Sequence, residues 1–132
     1  MPPKRRKLRA LPEVAGDINA LPTQKLKEIA LQRISDVVNG RLSGARLEDM
    51  SRTGDLTDCF KLYFDETGGP GPAYRVVYRE LAEGAVEVVE VVAVEQREEL
   101  YVYALAALRL GRLPEGSGVP ERPQPRRSRP TT

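Results

Sequence analysis

Apolar residues recur along the chain with two different spacings, and the change between them separates helix-forming from strand-forming parts. Between residues 23 and 39 they recur every three or four positions, which is the spacing of a helix that buries one face. Over residues 58–65 (DCFKLYFD) they alternate with polar residues, as in a strand with one buried face. Residues 85–94 (AVEVVEVVAV) are apolar enough for a strand at the centre of a sheet.

Helix-starting and helix-ending residues complete the secondary-structure prediction. Pro12 suits the first turn of a helix, and Asn39-Gly40 is typical of a helix C-terminus. This order of elements predicts an α+β fold: a helical hairpin packed on a small, mostly antiparallel four-stranded sheet, with a C-terminal helix that crosses the end of the sheet. The predicted elements, in chain order, are a strand over 6–11, helices over 12–20 and 23–39, a loop over 40–56, strands over 58–65, 72–80 and 85–94, and a helix over 97–110.

Charge divides the chain into three parts. The 132 residues carry a net charge of +2, but residues 1–9 alone carry +5, residues 10–112 carry −5 and residues 113–132 carry +2. The last segment has five prolines and no apolar period, which predicts a disordered tail. We therefore expect a basic N-terminal arm over 1–5, a folded domain over 6–112 and the tail beyond it. Basic ends of this kind either seek nucleic acid or are solvated termini without a partner.

The composition excludes several kinds of chemistry. Histidine is absent and Cys59 is the single cysteine, so the chain can form neither a histidine relay nor a zinc site of three or four His and Cys ligands. We expect no metal and no cofactor, and we expect Cys59 to be a small buried residue rather than a nucleophile. The uncharged run over 100–108 is half the length of a membrane span and no signal peptide is recognisable, so a cytoplasmic protein is expected.

Short segments on the predicted strands and the last helix resemble one family. They are DCFKL at 58–62, YRVVY at 74–78, VEQRE at 94–98 followed by Tyr103-Ala104, and DINALP at 17–22. Together they resemble the RelE/ParE toxin superfamily over about residues 6–110. The resemblance implies a type II toxin of a toxin–antitoxin system, which a cognate antitoxin protein holds inactive. It also implies cleavage of mRNA on the ribosome without a metal ion, as in RelE-type members.

The resemblance further implies a catalytic site. Lys61 matches a lysine that acts as a base or a charge stabiliser. Arg75 and Arg97 match arginines that bind the phosphate. Tyr103 matches a tyrosine that orients the 2′-hydroxyl or stacks on a base, and Tyr63, which stands where RelE has a second lysine, is assigned to RNA binding. These residue types suit the reaction, because without histidine the proton transfers and the charge at phosphorus fall to lysine, arginine, tyrosine and carboxylates.

Each of these residues also has a purely structural interpretation. Arg75 could be an exposed strand residue that pairs with Glu87 or Glu90 across the sheet. The strand lysine could be an ordinary solvent-exposed residue, and Arg97 could begin a helix. Tyr103 lies on the apolar face of the last predicted helix and could belong to the core.

Departures from the family leave three functional hypotheses. Tyr63 replaces a lysine, Glu95-Gln96 replace a Gly-Lys pair, and the body is acidic where RelE proteins are strongly basic. The leading hypothesis is a ribosome-dependent mRNA endoribonuclease. The second is a ParE-like inhibitor of DNA gyrase, which needs no Lys61 and tolerates an acidic body. The third is a diverged RelE-fold protein that has lost its toxicity.

Overall fold

The computed structural model describes residues 6–47, 55–66, 74–84, 86–96 and 101–112. The predicted arm over 1–5, the predicted tail over 113–132 and Arg97 lie outside these residues, so the domain boundaries stay predictions. Within the described part of the chain, none of the helices has the length and apolar character that crossing a membrane requires. The elements are β1 (Lys7–Ala10), α1 (Glu13–Asn19), α2 (Gln24–Val38), β2 (Ala45–Arg46), β3 (Cys59–Phe64), β4 (Tyr74–Glu83), β5 (Val86–Gln96) and α3 (Tyr101–Arg109).

The described strands form one sheet of five in the order β1-β5-β4-β3-β2. β1 runs parallel to β5, and the other neighbouring pairs are antiparallel. The predicted α+β fold with a mostly antiparallel sheet is confirmed, but the predicted number of four strands is wrong. The additional strand, β2, lies inside the segment predicted as loop. Two residues are too few to show an alternating pattern, and Ala45 and Arg46 form a strand through their pairing with Lys61 and Phe60.

Helix α2 shows how the sequence builds the helical hairpin. The Thr23 hydroxyl oxygen accepts a hydrogen bond from the backbone N–H of Leu26 at 3.1 Å and so caps the first turn. Buried positions such as Leu26, Ala30 and Ile34 recur at helical spacing. Gly40 follows the helix with φ of 74°, a left-handed conformation that glycine adopts without strain.

The sheet is covered on both faces, which we call the first and the second face. On the first face, the α1–α2 hairpin packs against a core that includes Leu62, Phe64, Val76, Tyr78 and Val94. On the second face, α3 packs against a core that includes Cys59, Val77, Val92 and Ala93. The last helix therefore packs on one face of the sheet, over β4 and β5, instead of crossing the end of the sheet as predicted, because its apolar stripe matches the apolar positions that these strands present there.

A β-bulge in β5 turns two consecutive residues toward α3. Ala93 lies opposite Val77 and Val91 lies opposite Tyr78, which leaves Val92 as an extra residue in β5. Val92 and Ala93 consequently both face the second core. Beyond the bulge the normal alternation resumes, with Val94 in the first core.

A buried ion pair fixes α3 to α1. β5 is longer than β1, so its last residues have no strand partner on that side. Asp17, which is 3% exposed, accepts hydrogen bonds from the Val94 N–H at 2.9 Å and from the two terminal nitrogens of Arg109 at 2.6 and 2.8 Å. Arg109 also donates to the Val92 carbonyl at 3.0 Å. Asp17 and Arg109 thus form hydrogen bonds with backbone groups of β5 that lie beyond the end of β1, and they neutralise each other's charge.

Gly44, just before β2, makes a close approach to β3. Its N–H donates to the Tyr78 hydroxyl at 2.7 Å, and an added Cβ would lie 2.6 Å from the Lys61 carbonyl oxygen. We expect Gly44→Ala to displace β2 and to lower the free energy of unfolding by about 1–3 kcal/mol, measured by urea denaturation. Gly16→Ala is the control, because a Cβ there meets nothing within 4 Å and alanine favours helix α1. Unchanged stability in Gly44→Ala would show that β2 is not held this closely.

Candidate functional site

Three of the predicted site residues lie together on the second face of the sheet. Lys61 and Tyr63 alternate along β3 with Leu62 and Phe64, whose side chains lie in the first core. Arg75 lies directly opposite Tyr63 in the neighbouring strand. Because alternate residues of paired strands point to the same side, Lys61, Tyr63 and Arg75 share the face that also carries α3.

The Tyr63 ring brings the two cations together. The Arg75 Cζ atom lies 3.8 Å from the centre of this ring, and the Lys61 Nζ atom lies 5.5 Å from it. Both distances fall in the range of cation–π interactions. Tyr63 is 46% exposed whereas Arg75 is 4% exposed, so the tyrosine separates the guanidinium from solvent. Arg75 also donates from Nη1 to the Tyr74 carbonyl at 3.0 Å, which fixes one side of its fork.

Glu95 is a further member of this group that the sequence analysis did not select. It lies directly opposite Arg75 in β5 and is 5% exposed, on the same face as Arg75 because Val94 points to the other core. The predicted strand ends at Val94, two residues before β5 ends, because a charged residue does not continue an apolar run. A longer strand in regular register would have put Val94 opposite Arg75, and it is the bulge at Val92 that brings Glu95 there.

The acidic partners predicted for Arg75 under its structural interpretation lie elsewhere. Glu90 accepts hydrogen bonds from Arg79 Nε at 3.0 Å and from Arg9 at 3.4 Å. Glu87 lies near the start of β5, at the opposite end of that strand from the site. Neither is therefore the cross-strand neighbour of Arg75.

The C-terminal end of α3 is tied to the start of β3 by Asp58 and Arg112. Arg112 donates from Nη2 to Asp58 Oδ2 at 2.8 Å, and this hydrogen bonding lowers the pKa of Asp58 below its ordinary value. A carboxylate whose pKa is lowered on folding stabilises the protein above its ordinary pKa, and this contribution is lost as the pH falls through the lowered value. Asp58 is half exposed, so solvent screening limits the contribution to about 0.2–1 kcal/mol.

Tyr103, another predicted catalytic residue, is not joined to this group. Tyr103 is 4% exposed and belongs to the second core together with Val77 and Val102. It therefore occupies the position that its structural interpretation implies, and its catalytic role stays a prediction. Arg97 lies outside the described residues. Among those residues, no group of three or more His, Cys, Asp or Glu side chains is placed to hold a metal ion.

Cys59 is fully buried in the second core, with its thiol 3.7 Å from Asp58 Oδ1. Burial raises the pKa of the Cys59 thiol to about 12. Since the thiolate is the reactive form, we expect iodoacetamide at pH 8 to label the folded protein at least roughly a thousandfold more slowly than the urea-unfolded protein. Mass spectrometry of the intact protein measures both rates. Equal rates would mean that Cys59 is accessible in the folded state.

The arrangement of the described helices and strands defines the fold. A helical hairpin and a C-terminal helix on the two faces of a mixed sheet, with the N-terminal strand parallel to the last one, form the RelE-like toxin fold. The chain has this fold.

Two solved structures carry this assignment. One is a mutant of the Escherichia coli toxin RelE in the free state, with a TM-score of 0.55 and 21% identity, covering 81% of this chain and 99% of that chain. The other is the toxin–antitoxin complex RelBE2 from Mycobacterium tuberculosis, with a TM-score of 0.50 and 20% identity, covering 70% of this chain and 92% of that chain. No protein-family model matches the chain, and no curated protein matches it.

Proposed function

We propose that the protein is the toxin of a toxin–antitoxin pair and acts in the cytoplasm as a metal-independent endoribonuclease that cleaves mRNA on the ribosome. One observation carries the proposal: Lys61 and Arg75 meet at a half-exposed tyrosine ring, on the fold of a protein that is itself described as a toxin. Two cations beside an aromatic ring suit single-stranded RNA, because cations bind its phosphates and aromatic rings stack on its bases.

The proposed chemistry is attack of the ribose 2′-oxygen on the neighbouring phosphorus, which closes a 2′,3′-cyclic phosphate as the bond to the 5′-oxygen breaks. The 2′-hydroxyl proton passes to Lys61 or to water, and the departing 5′-oxygen takes a proton from water. Arg75 stabilises the extra negative charge at phosphorus through its planar fork of donors. Lys61 acts on the 2′-hydroxyl as base or charge stabiliser, and Tyr63 stacks on a base beside the scissile link. Because the Tyr63 ring covers Arg75, the ring must turn aside as the phosphate arrives.

Arg97 and Tyr103 complete the proposed site on the strength of the sequence resemblance. Arg97 would bind the phosphate from the segment that follows β5. Tyr103 is a residue of α3 that is buried between the helix and the sheet, so its proposed contact with the 2′-hydroxyl requires α3 to shift away from the second face. The proposal therefore assigns the first contacts with RNA to Lys61, Tyr63 and Arg75.

The experiment is primer extension on a defined message translated in a purified system, with and without the protein. New 5′ ends within the translated frame, absent when ribosomes are left out, are the expected result. The absence of such ends with correctly folded protein would reject the nuclease. Unrestricted cleavage of free RNA would reject its dependence on the ribosome.

The proposed partner is a cognate antitoxin, since one of the similar structures is a toxin–antitoxin complex. The apolar residues of α3 are largely used by the second core, with Leu108 exposed. Leu8 on β1 and Leu31 on α2 are also about half exposed, and they line a shared groove beside the strand edge. Co-expression with the product of the adjacent reading frame should relieve growth arrest and yield a stable complex.

A second candidate is a ParE-like inhibitor of DNA gyrase. The buried carboxylate of Glu95 beside Arg75, together with the acidic body, favours this candidate, because both reduce the positive charge offered to RNA. A gyrase supercoiling assay separates the two functions. Loss of supercoiling with unimpaired translation would select the gyrase inhibitor, and overexpression without any growth arrest would select the non-toxic protein.

A further inference from the structure

We infer that Glu95 is a positioning residue, which holds the Arg75 guanidinium beneath the Tyr63 ring from the neighbouring strand. The effect of this arrangement on cleavage rests on the proposed function, whereas the positioning itself does not. Glu95 would act through Arg75 and would not bind the RNA phosphate, because a carboxylate repels the phosphate charge.

The sheet register places the three side chains in one row. Tyr63 of β3 is opposite Arg75 of β4, and Arg75 is opposite Glu95 of β5. Directly opposed residues on one face of antiparallel strands have Cβ atoms about 4.5–5.5 Å apart, well within the reach of arginine and glutamate side chains. Tyr63 already lies against one surface of the guanidinium, at 3.8 Å from its Cζ atom.

Burial makes this juxtaposition an energetic requirement. Arg75 is 4% exposed and Glu95 is 5% exposed, and an arginine cannot shed its charge by losing a proton. A buried charge is tolerated when an opposite charge lies beside it, and removal of one partner leaves the other uncompensated. Glu95 is the acidic residue that the register places directly opposite Arg75.

Asp65 is the acidic residue that follows Tyr63 most closely along the chain and is therefore the competing anion. It lies just beyond Phe64, the last residue of β3 in the described register with β4, so the register does not place it opposite Arg75. It is also only partly buried, so water solvates part of its charge. Direct opposition and deep burial therefore favour Glu95, and Asp65→Asn provides the matched control.

Nuclear magnetic resonance of the full-length protein without RNA tests the positioning directly. The Arg75 side-chain Nε–H resonance of the wild type should be shifted by the Tyr63 ring, and Tyr63→Leu should remove that shift and so assign it. We expect Glu95→Ala to move the resonance most of the way to its unshifted value, and Glu95→Asp to move it less. A shift retained in Glu95→Ala, or lost equally in Asp65→Asn, would overturn the inference.

A double-mutant cycle tests the same pairing by stability. Arg75→Met and Glu95→Met should each lower the melting temperature, and the double variant should melt above the temperature that adding the two effects would give. The cycle of Arg75→Met with Asp65→Asn should be additive. Additivity in the Glu95 cycle would overturn the inference, whatever the protein does to RNA.

Cleavage kinetics then separate positioning from general stability. Glu95→Gln should lower kcat for ribosome-dependent cleavage by about tenfold to a hundredfold through a misplaced Arg75, while KM stays equal or falls because the site gains net positive charge. Parallel loss of kcat and rise of KM would mean a structural effect and would count against the inference. If the wild type does not cleave mRNA, the proposed nuclease fails, while the resonance shift and the stability cycle still decide the role of Glu95.

Discussion

Arg75→Gln is expected to lower the rate of the proposed ribosome-dependent mRNA cleavage by about 10²- to 10³-fold, because it removes the charge that is proposed to stabilise the transition state. The site has few alternatives among the described residues, since Arg9 and Arg79 on the same sheet are held by Glu90. Primer extension over a time course measures the effect in the purified system. Lys61→Met should give a loss of similar size, and the double variant should no longer arrest growth.

Matched controls make this prediction specific to the site. Arg41→Gln and Lys25→Met each remove one cation from an exposed position outside the sheet, and both variants should cleave like the wild type. Because Arg75 is buried, its replacement tests the fold as well as the site, so each variant is first checked by circular dichroism and is expected to be folded. Cleavage by Arg75→Gln at the wild-type rate would show that Arg75 has no part in the cleavage reaction.

Asp17→Ala is expected to cause the largest loss of stability of any single side-chain change named above. It leaves the Arg109 guanidinium without its buried carboxylate and the Val94 N–H without its acceptor. Breaking a buried ion pair from one side costs about 3–5 kcal/mol, which corresponds to a fall in melting temperature of more than about 10 °C for a domain of this size. Differential scanning calorimetry measures that fall.

The control for this prediction is another helical aspartate, whose hydrogen-bond partner is an exposed side chain. Asp36 accepts a hydrogen bond from Gln32 on the surface of α2, and Asp36→Asn should change the melting temperature by a degree or two at most. A small effect of Asp17→Ala would show that α3 is held to the sheet by its apolar contacts alone.

The fold was largely predictable because its larger elements depend on local pattern. Residues 23–39 carry a helical stripe with a cap at Thr23, and residues 58–65 alternate apolar with polar, so each could be recognised without its neighbours. β2 could not, because Ala45 and Arg46 are extended only through pairing with β3. The bulge at Val92, through which both Val92 and Ala93 face α3, is a property of the register between two strands, so neither strand's own sequence predicts it.

Strand alternation could predict which face of the sheet a site residue occupies, but it could not predict how deeply that residue is buried or what packs beside it. Alternation puts Lys61 and Tyr63 on one face, and the hairpin brings Arg75 opposite Tyr63. The burial of Arg75 and the presence of Glu95 beside it follow from the packing of three strands and a helix, which no local pattern reports. Tyr103 shows the same limit, because an apolar helical stripe serves a core and a binding surface equally well.

The parallel pairing of β1 with β5 also has a consequence for synthesis. Lys7 is in register with Val88, so the first strand has no partner until nearly all of the domain has been translated. Contacts so distant in sequence form late and slow folding. A nascent chain that stops before β5 lacks the strand that lies between β1 and β4 in the sheet. An abortive translation product of this protein is therefore expected to lack the folded sheet on which Lys61, Tyr63 and Arg75 are arranged.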